Sequence, residues 1–175
     1  MSDRARILLF TGDGKGKTTA ALGMVLRALG HGMPSLVLQF IKGDAATGEV
    51  AAAQSLPGVQ LVQVGLGFVP PRDHGKFPEH VAAARDGLRR AAQAIASGAY
   101  PLVVLDEVCT AVSLGLLEEA AVIEVVRKTW PGLCVVLTGR GATAGLIDLA
   151  DTATDMRCLK HAHQSGTPAQ RGVEF

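Results

Sequence analysis

Phe10-Thr-Gly-Asp-Gly-Lys-Gly-Lys-Thr-Thr19 decides how this chain folds. Before it, Ile7-Leu-Leu-Phe10 reads as a buried strand. After it, Lys17–Leu29 carries apolar residues at helical spacing and stops at Gly30-His-Gly32. A strand that turns through glycines into a helix is the setting of a phosphate-binding P-loop. Gly12, Gly14 and Gly16 let the backbone curl and turn its N–H groups inward as an anion nest. The helix adds its positive end. Lys17 supplies a mobile charge for phosphates, and the Thr18 hydroxyl is placed to ligate magnesium or manganese. Asp13, Lys15 and Thr19 complete the candidate binding loop. The general pattern GxxxxGK[ST] asks for glycine where this chain has Thr11.

Outward from the loop, apolar runs alternate with helical stretches. Ser35–Ile41, Val59–Val64, Leu102–Leu105, Cys134–Leu137 and Ala153–Leu159 read as strands. Glu79–Ala96, Leu116–Lys128 and Thr143–Ala150 read as helices. Continuous apolar strands between helices predict a parallel sheet covered on both faces. The expectation is an α/β fold of the P-loop NTPase type, three layers around a mostly parallel sheet, in one domain over residues 1–175.

The second half of a phosphate site is expected where Leu102-Val-Val-Leu-Asp-Glu107 ends. Acids at the carboxyl end of a parallel strand stand where ligands of such sheets bind. Glu107 is taken as the metal ligand beside Thr18; Asp106 is the rival ligand, its other expected role being to hold Thr18 or a bound water. Gly65–Pro78, rich in Gly and Pro, reads as a loop; at about 14 residues it has the length of a functional or mobile one.

Other features exclude more than they propose. Hydrophobic residues make up 48% of the chain and charged ones 19%, which describes a globule. A net charge of +1 gives no field for nucleic acid. No run approaches the roughly 20 apolar residues of a membrane span, and Met1-Ser-Asp-Arg-Ala-Arg6 does not fit a signal peptide. Cys109, Cys134 and Cys158 have neither disulfide nor zinc spacing, and read as buried thiols of a cytoplasmic protein. His74 and His80 read as surface residues. No arginine-rich lid stands out: Arg140 is isolated and Arg89-Arg90 lies on a helix. The residues alone therefore specify a nucleoside triphosphate site. They leave open a small-molecule kinase or ATPase and a nucleotide-sensing module without turnover.

A resemblance narrows this. Thr11-Gly-Asp-Gly-Lys-Gly-Lys-Thr-Thr-Ala-Ala21, Arg27-Ala-Leu-Gly-His-Gly32, Gln39-Phe-Ile-Lys-Gly43, Gly67-Phe68, Val103-Val-Leu-Asp-Glu107, Thr138-Gly-Arg-Gly141, Asp148-Leu-Ala-Asp151, Lys160-His161, Gly166 and Ala169-Gln-Arg-Gly-Val-Glu174 occur in that order. Together they resemble the P-loop corrinoid adenosyltransferases, which act on cob(I)alamin, cobinamide or cobyrinic acid a,c-diamide. The resemblance covers nearly the whole chain. It implies ATP lying in the loop in the reverse of the usual sense, attack of Co(I) on the ribose 5′-carbon, and triphosphate as leaving group. It also implies Arg27 and Arg140 among the nucleotide-binding residues, a homodimer, and a reductase or flavodoxin as electron donor. Phe68 matches a loop aromatic that covers the lower face of the corrin and excludes an axial ligand. Where the family has a second aromatic two residues later, this chain has Pro70.

Overall fold

The computed structural model describes residues 4–44, 46–162 and 166–173. Its strands are β1 (Arg6–Thr11), β2 (Ser35–Gln39), β3 (Val59–Gln63), β4 (Leu102–Asp106), β5 (Cys134–Thr138) and β6 (Thr152–Asp155). They lie in the order β3-β2-β4-β5-β1-β6, and every neighbouring pair is parallel. The helices are α1 (Lys17–Gly30), α2 (Gly48–Gln54), α3 (Phe77–Ser97), α4 (Val108–Ser113), α5 (Glu119–Arg127) and α6 (Ala144–Leu149).

Side chains alternate across the sheet, so each strand feeds two cores. Ala21, Val25 and Ala28 of α1 pack on Val37, Leu102, Val104 and Val136. On the opposite face, Leu36, Leu38, Val103, Leu105, Val135 and Leu137 meet residues of α3, α4, α5 and α6. The three-layer parallel fold expected from the sequence is therefore present. On the α1 face the apolar files of β3, β2, β4 and β5 end in a polar residue at the carboxyl end. Leu61 is followed by Gln63, Val37 by Gln39, Val104 by Asp106 and Val136 by Thr138.

The differences from expectation have local causes. The last strand stops at Asp155 rather than running to Leu159. Beyond it the chain turns onto the glycine loop, with Gly14 N–H donating to Met156 O at 2.6 Å. Two helices carry no periodic signal. The apolar run of β4 passes straight into α4 through Glu107, whose left-handed φ of 62° makes the turn without a glycine. α2 buries no residue, so it has no apolar stripe to read. The α5 helix begins after Leu116 and Leu117, because their N–H groups bond back to Ala111 O. Pro78 sits in the first turn of α3, where its missing N–H costs nothing, so the helix starts before Glu79. That turn directs His80 inward: it is buried, not a surface residue. Of the three thiols only Cys109 is fully buried; Cys134 and Cys158 are half-buried.

Candidate functional site

The loop between β1 and α1 is built for close approach. Gly16, at φ 120°, turns the chain into α1, and no side chain caps the helix, so its first N–H groups stay open. Gly14 has no room for a side chain: a Cβ there would lie 2.5 Å from Met156 O. Lys17 is buried, and its Nζ donates to Gly12 O at 2.6 Å and Gly14 O at 2.7 Å. The lysine thus braces the loop from inside. Burial lowers its pKa below the ordinary lysine value; the Glu107 carboxylate opposes that, and Arg140 adds to it.

The two acids of β4 have different surroundings. Asp106 is fully buried. Its Oδ1 accepts from Thr18 Oγ1 at 2.8 Å and Thr138 Oγ1 at 2.7 Å, and its Oδ2 from Gln39 Nε2 at 3.1 Å. Glu107 faces a cavity instead, and Thr110 Oγ1 donates to its Oε2. The Glu107 N–H donates to Thr138 Oγ1 at 2.9 Å, which fixes the left-handed turn.

That cavity, about 770 Å³, opens over the loop. Gly14, Lys15, Gly16, Lys17, Thr18 and Thr19 form one wall, with Glu107 and Arg140 beside them. Ile41, Lys42, Gly48, Glu49 and Ala52 form another, and His161, Gly172 and Val173 close a third side. Gly12 and Asp13 belong to the loop but not to the wall. Arg27 is not brought there: it is exposed, and ten residues of α1 beyond Lys17 set it about 15 Å along the axis. Phe68 lies on the β3–α3 loop, outside the wall and 91% exposed. It is not a core residue. The base of its loop is held next to the cavity, because Gly67 N–H donates to Ile41 O at 2.8 Å.

Lys42 and Glu49 are functional candidates that motif reading passed over. Lys42 Nζ donates to Glu49 Oε1 at 2.5 Å. Burial would raise the Glu49 carboxyl, but the Lys42 ammonium, a backbone N–H and the Gln39 amide together outweigh it and hold the group below the usual carboxylate range. Lys42 sits in Gln39-Phe-Ile-Lys-Gly43, one of the stretches that carry the resemblance; Glu49 sits on α2, where no periodicity pointed.

Among the described residues no group of three His, Cys, Asp or Glu side chains could hold a metal ion. Magnesium does not need one, since it keeps several waters and binds through one or two protein oxygens plus phosphate. Thr18 Oγ1 and the Glu107 carboxylate, both on the cavity wall, suit that donor set.

The chain is matched over residues 3–175 by a family model described as ATP:corrinoid adenosyltransferase BtuR/CobO/CobP. A corrinoid adenosyltransferase of Pseudomonas aeruginosa is 43% identical over 175 residues, which are 99% of this chain and 85% of that protein. One from Sinorhizobium sp is 38% identical, covering 99% and 81%, and one from Escherichia coli 35%, covering 99% and 87%. Among solved structures, a KaiC-like protein from Pyrococcus horikoshii superposes with a TM-score of 0.55 at 18% identity, over 88% of this chain and 72% of that one. At that identity the likeness concerns the fold alone.

Proposed function

The chain belongs to the ATP:corrinoid adenosyltransferase family, and from that premise we propose how its cavity moves the adenosyl group of ATP onto a corrinoid cobalt. The cobalt–carbon bond forms with the electron pair of Co(I). The 5′-carbon–oxygen bond breaks, and its pair leaves with triphosphate. The nucleophile is the substrate's own metal, so the protein supplies no general base. Its task is to stabilise the charge that gathers on the leaving group and to hold carbon and cobalt in line.

The observation that carries this reading is the shared position of two unlike features. A cationic cavity over the phosphate loop, with Lys15, Lys17 and Arg140, borders the Ile41–Lys42 segment. That same segment anchors the loop that exposes Leu66 and Phe68. In this reading Gly12–Thr19 holds the triphosphate, with ATP reversed in the loop. Thr18 and Glu107 would hold magnesium or manganese, which would supply a Lewis acid for the leaving oxygens. Phe68 would cover the lower face of the corrin, with Pro70 as a rigid apolar neighbour in place of a second aromatic.

Cob(I)alamin and cob(I)yrinic acid a,c-diamide are both proposed substrates. A reductase or flavodoxin as electron donor and a homodimer follow from the family resemblance. A cytoplasmic site fits the free cysteines, and no described helix is long and apolar enough to cross a membrane.

The test is anaerobic incubation with ATP, magnesium and chemically reduced cobalamin, read by absorbance and phosphorus NMR. The expected products are an alkylated corrinoid and triphosphate. ADP as product would identify a kinase or ATPase instead, and tight ATP binding without turnover a sensing module.

A further inference from the structure

Phosphate binding alone does not explain the polar row at the ends of β3, β2 and β4. Gln63, Gln39 and Asp106 pair in register across these strands. Gln39 is fully buried. Its Nε2 donates to Asp106 Oδ2 at 3.1 Å and, more weakly, to Glu49 Oε1 at 3.5 Å. Its Oε1 accepts from Gln63 Nε2 at 3.1 Å, and Gln63 Nε2 also donates to Asp44 O at 2.9 Å. With a donor partner on one side and acceptors on the other, the amide can face only one way.

We propose that Gln39 is a positioning residue for adenosyl transfer, tying the phosphate loop to the Lys42–Glu49 wall across the cavity through its bonds to Asp106 and Glu49. On one side, Asp106 takes the Thr18 hydroxyl hydrogen, which leaves the Thr18 lone pairs directed away from it. On the other, Glu49 holds the Lys42 ammonium at 2.5 Å. One neutral amide therefore separates two carboxylates and fixes both. A glutamate at this position would add a third negative charge. An apolar side chain would leave Asp106 Oδ2 without its donor. Two residues earlier the same face of β2 carries Val37, fully buried in the apolar core, so packing alone does not call for an amide here.

The proposal rests on the adenosyl-transfer reading, and its test separates the two, because unvaried protein without transferase activity would sink that reading first. Gln39→Met keeps volume and removes both ends of the amide. Gln63→Met removes the bond that orients it, together with an exposed bond to Asp44 O, from a half-buried residue outside the cavity wall. Steady-state constants for ATP and for corrinoid are measured beside thermal melting. Gln39→Met should lower kcat/KM for ATP about 10-fold, the size of one lost hydrogen bond to a charged group, with KM for corrinoid unchanged. Gln63→Met should move the same constant in the same direction by about 3-fold, with unchanged melting. Lys42→Met should cost less in the Gln39→Met background than alone, as coupled residues do. Unchanged ATP constants in both variants would overturn the proposal. So would losses that fall equally on both substrates and follow a lowered melting temperature. If Gln39→Met does not fold, the Gln63→Met constants decide.

Discussion

The phosphate end of the cavity and the β3–α3 loop beside it are built on opposite principles. At the phosphate end the buried polar side chains have partners. Lys17 braces two carbonyls, Asp106 receives three donors, and Gly14 is pressed against Met156. At the exposed end, just outside the cavity wall, the β3–α3 loop displays Leu66 at 54% and Phe68 at 91% exposure. Charge developing on a leaving group is stabilised only by dipoles already in place, which requires a fixed frame. In the proposed reading, the apolar surface that would meet the corrin needs instead to be free of the core. The contrast teaches that polar and apolar parts of this site should respond differently to mutation.

The largest effect should come from the braced end. Lys17→Ala keeps helix propensity and removes the central charge. Adenosyl transfer should fall at least about 100-fold, as for loss of one transition-state donor. Near-normal rates would remove Lys17 from the mechanism and blur the contrast.

Next come the two acids, which sharpen the comparison inside that end. Glu107→Gln should lower the rate about 10-fold or more and weaken magnesium dependence, with melting unchanged, because Glu107 faces the cavity. Asp106→Asn should instead lower stability by about 1–3 kcal/mol, since the nitrogen that replaces one oxygen cannot accept from the donor it faces. Abolished metal binding in Asp106→Asn alone would exchange the two assignments.

The exposed end should show no stability effect. Phe68→Ala is expected to change unfolding free energy by no more than about 0.5 kcal/mol, whereas a buried phenylalanine would cost about 3–5 kcal/mol. Denaturant melts of the two proteins check this.

The smallest effect concerns the thiols. Burial, joined by the Glu107 carboxylate, pushes Cys109 up to about 12, and burial with Asp151 pushes Cys134 up to about 11. A thiol needs its thiolate to react. At pH 8 the folded protein should therefore label with iodoacetamide at Cys158, with Cys109 and Cys134 reacting only on unfolding. Rapid labelling of Cys109 in the native state would show that the core beneath Glu107 opens.

The braced end was far more legible in sequence than the exposed one. Gly16, Lys17 and Thr18 are specified by a backbone path that few other residues could follow, so their order alone marks the loop. Asp106 and Glu107 could be placed because a buried strand must end somewhere, and its end faces the ligand. Lys42 and Glu49 were not legible as a pair. They meet through α2, a helix without a buried stripe, and ion pairs between a loop and such a helix leave no periodic trace. Gln39 looked like one more residue of an apolar strand; only the register with Asp106 and Gln63 shows what its amide does. Phe68 was named by resemblance, and composition could not have separated an exposed aromatic from a core one. Arg27 shows the opposite failure: a position in a matched stretch lies far from the cavity, because a helix carries sequence neighbours away at 1.5 Å per residue.

The division of labour between the two ends is tested most directly by assaying Lys17→Ala and Phe68→Ala with two corrinoid starting states. One assay supplies cob(II)alamin with a mild biological reductant; the other supplies cobalamin already reduced to Co(I). Excluding an axial ligand lowers the orbital that receives the electron, so a lower-face aromatic matters only while cobalt still has to be reduced. The account predicts that Lys17→Ala loses activity equally in both assays, whereas Phe68→Ala loses it with cob(II)alamin and keeps it with Co(I). Equal losses for Phe68→Ala in both assays, accompanied by lower stability, would contradict it.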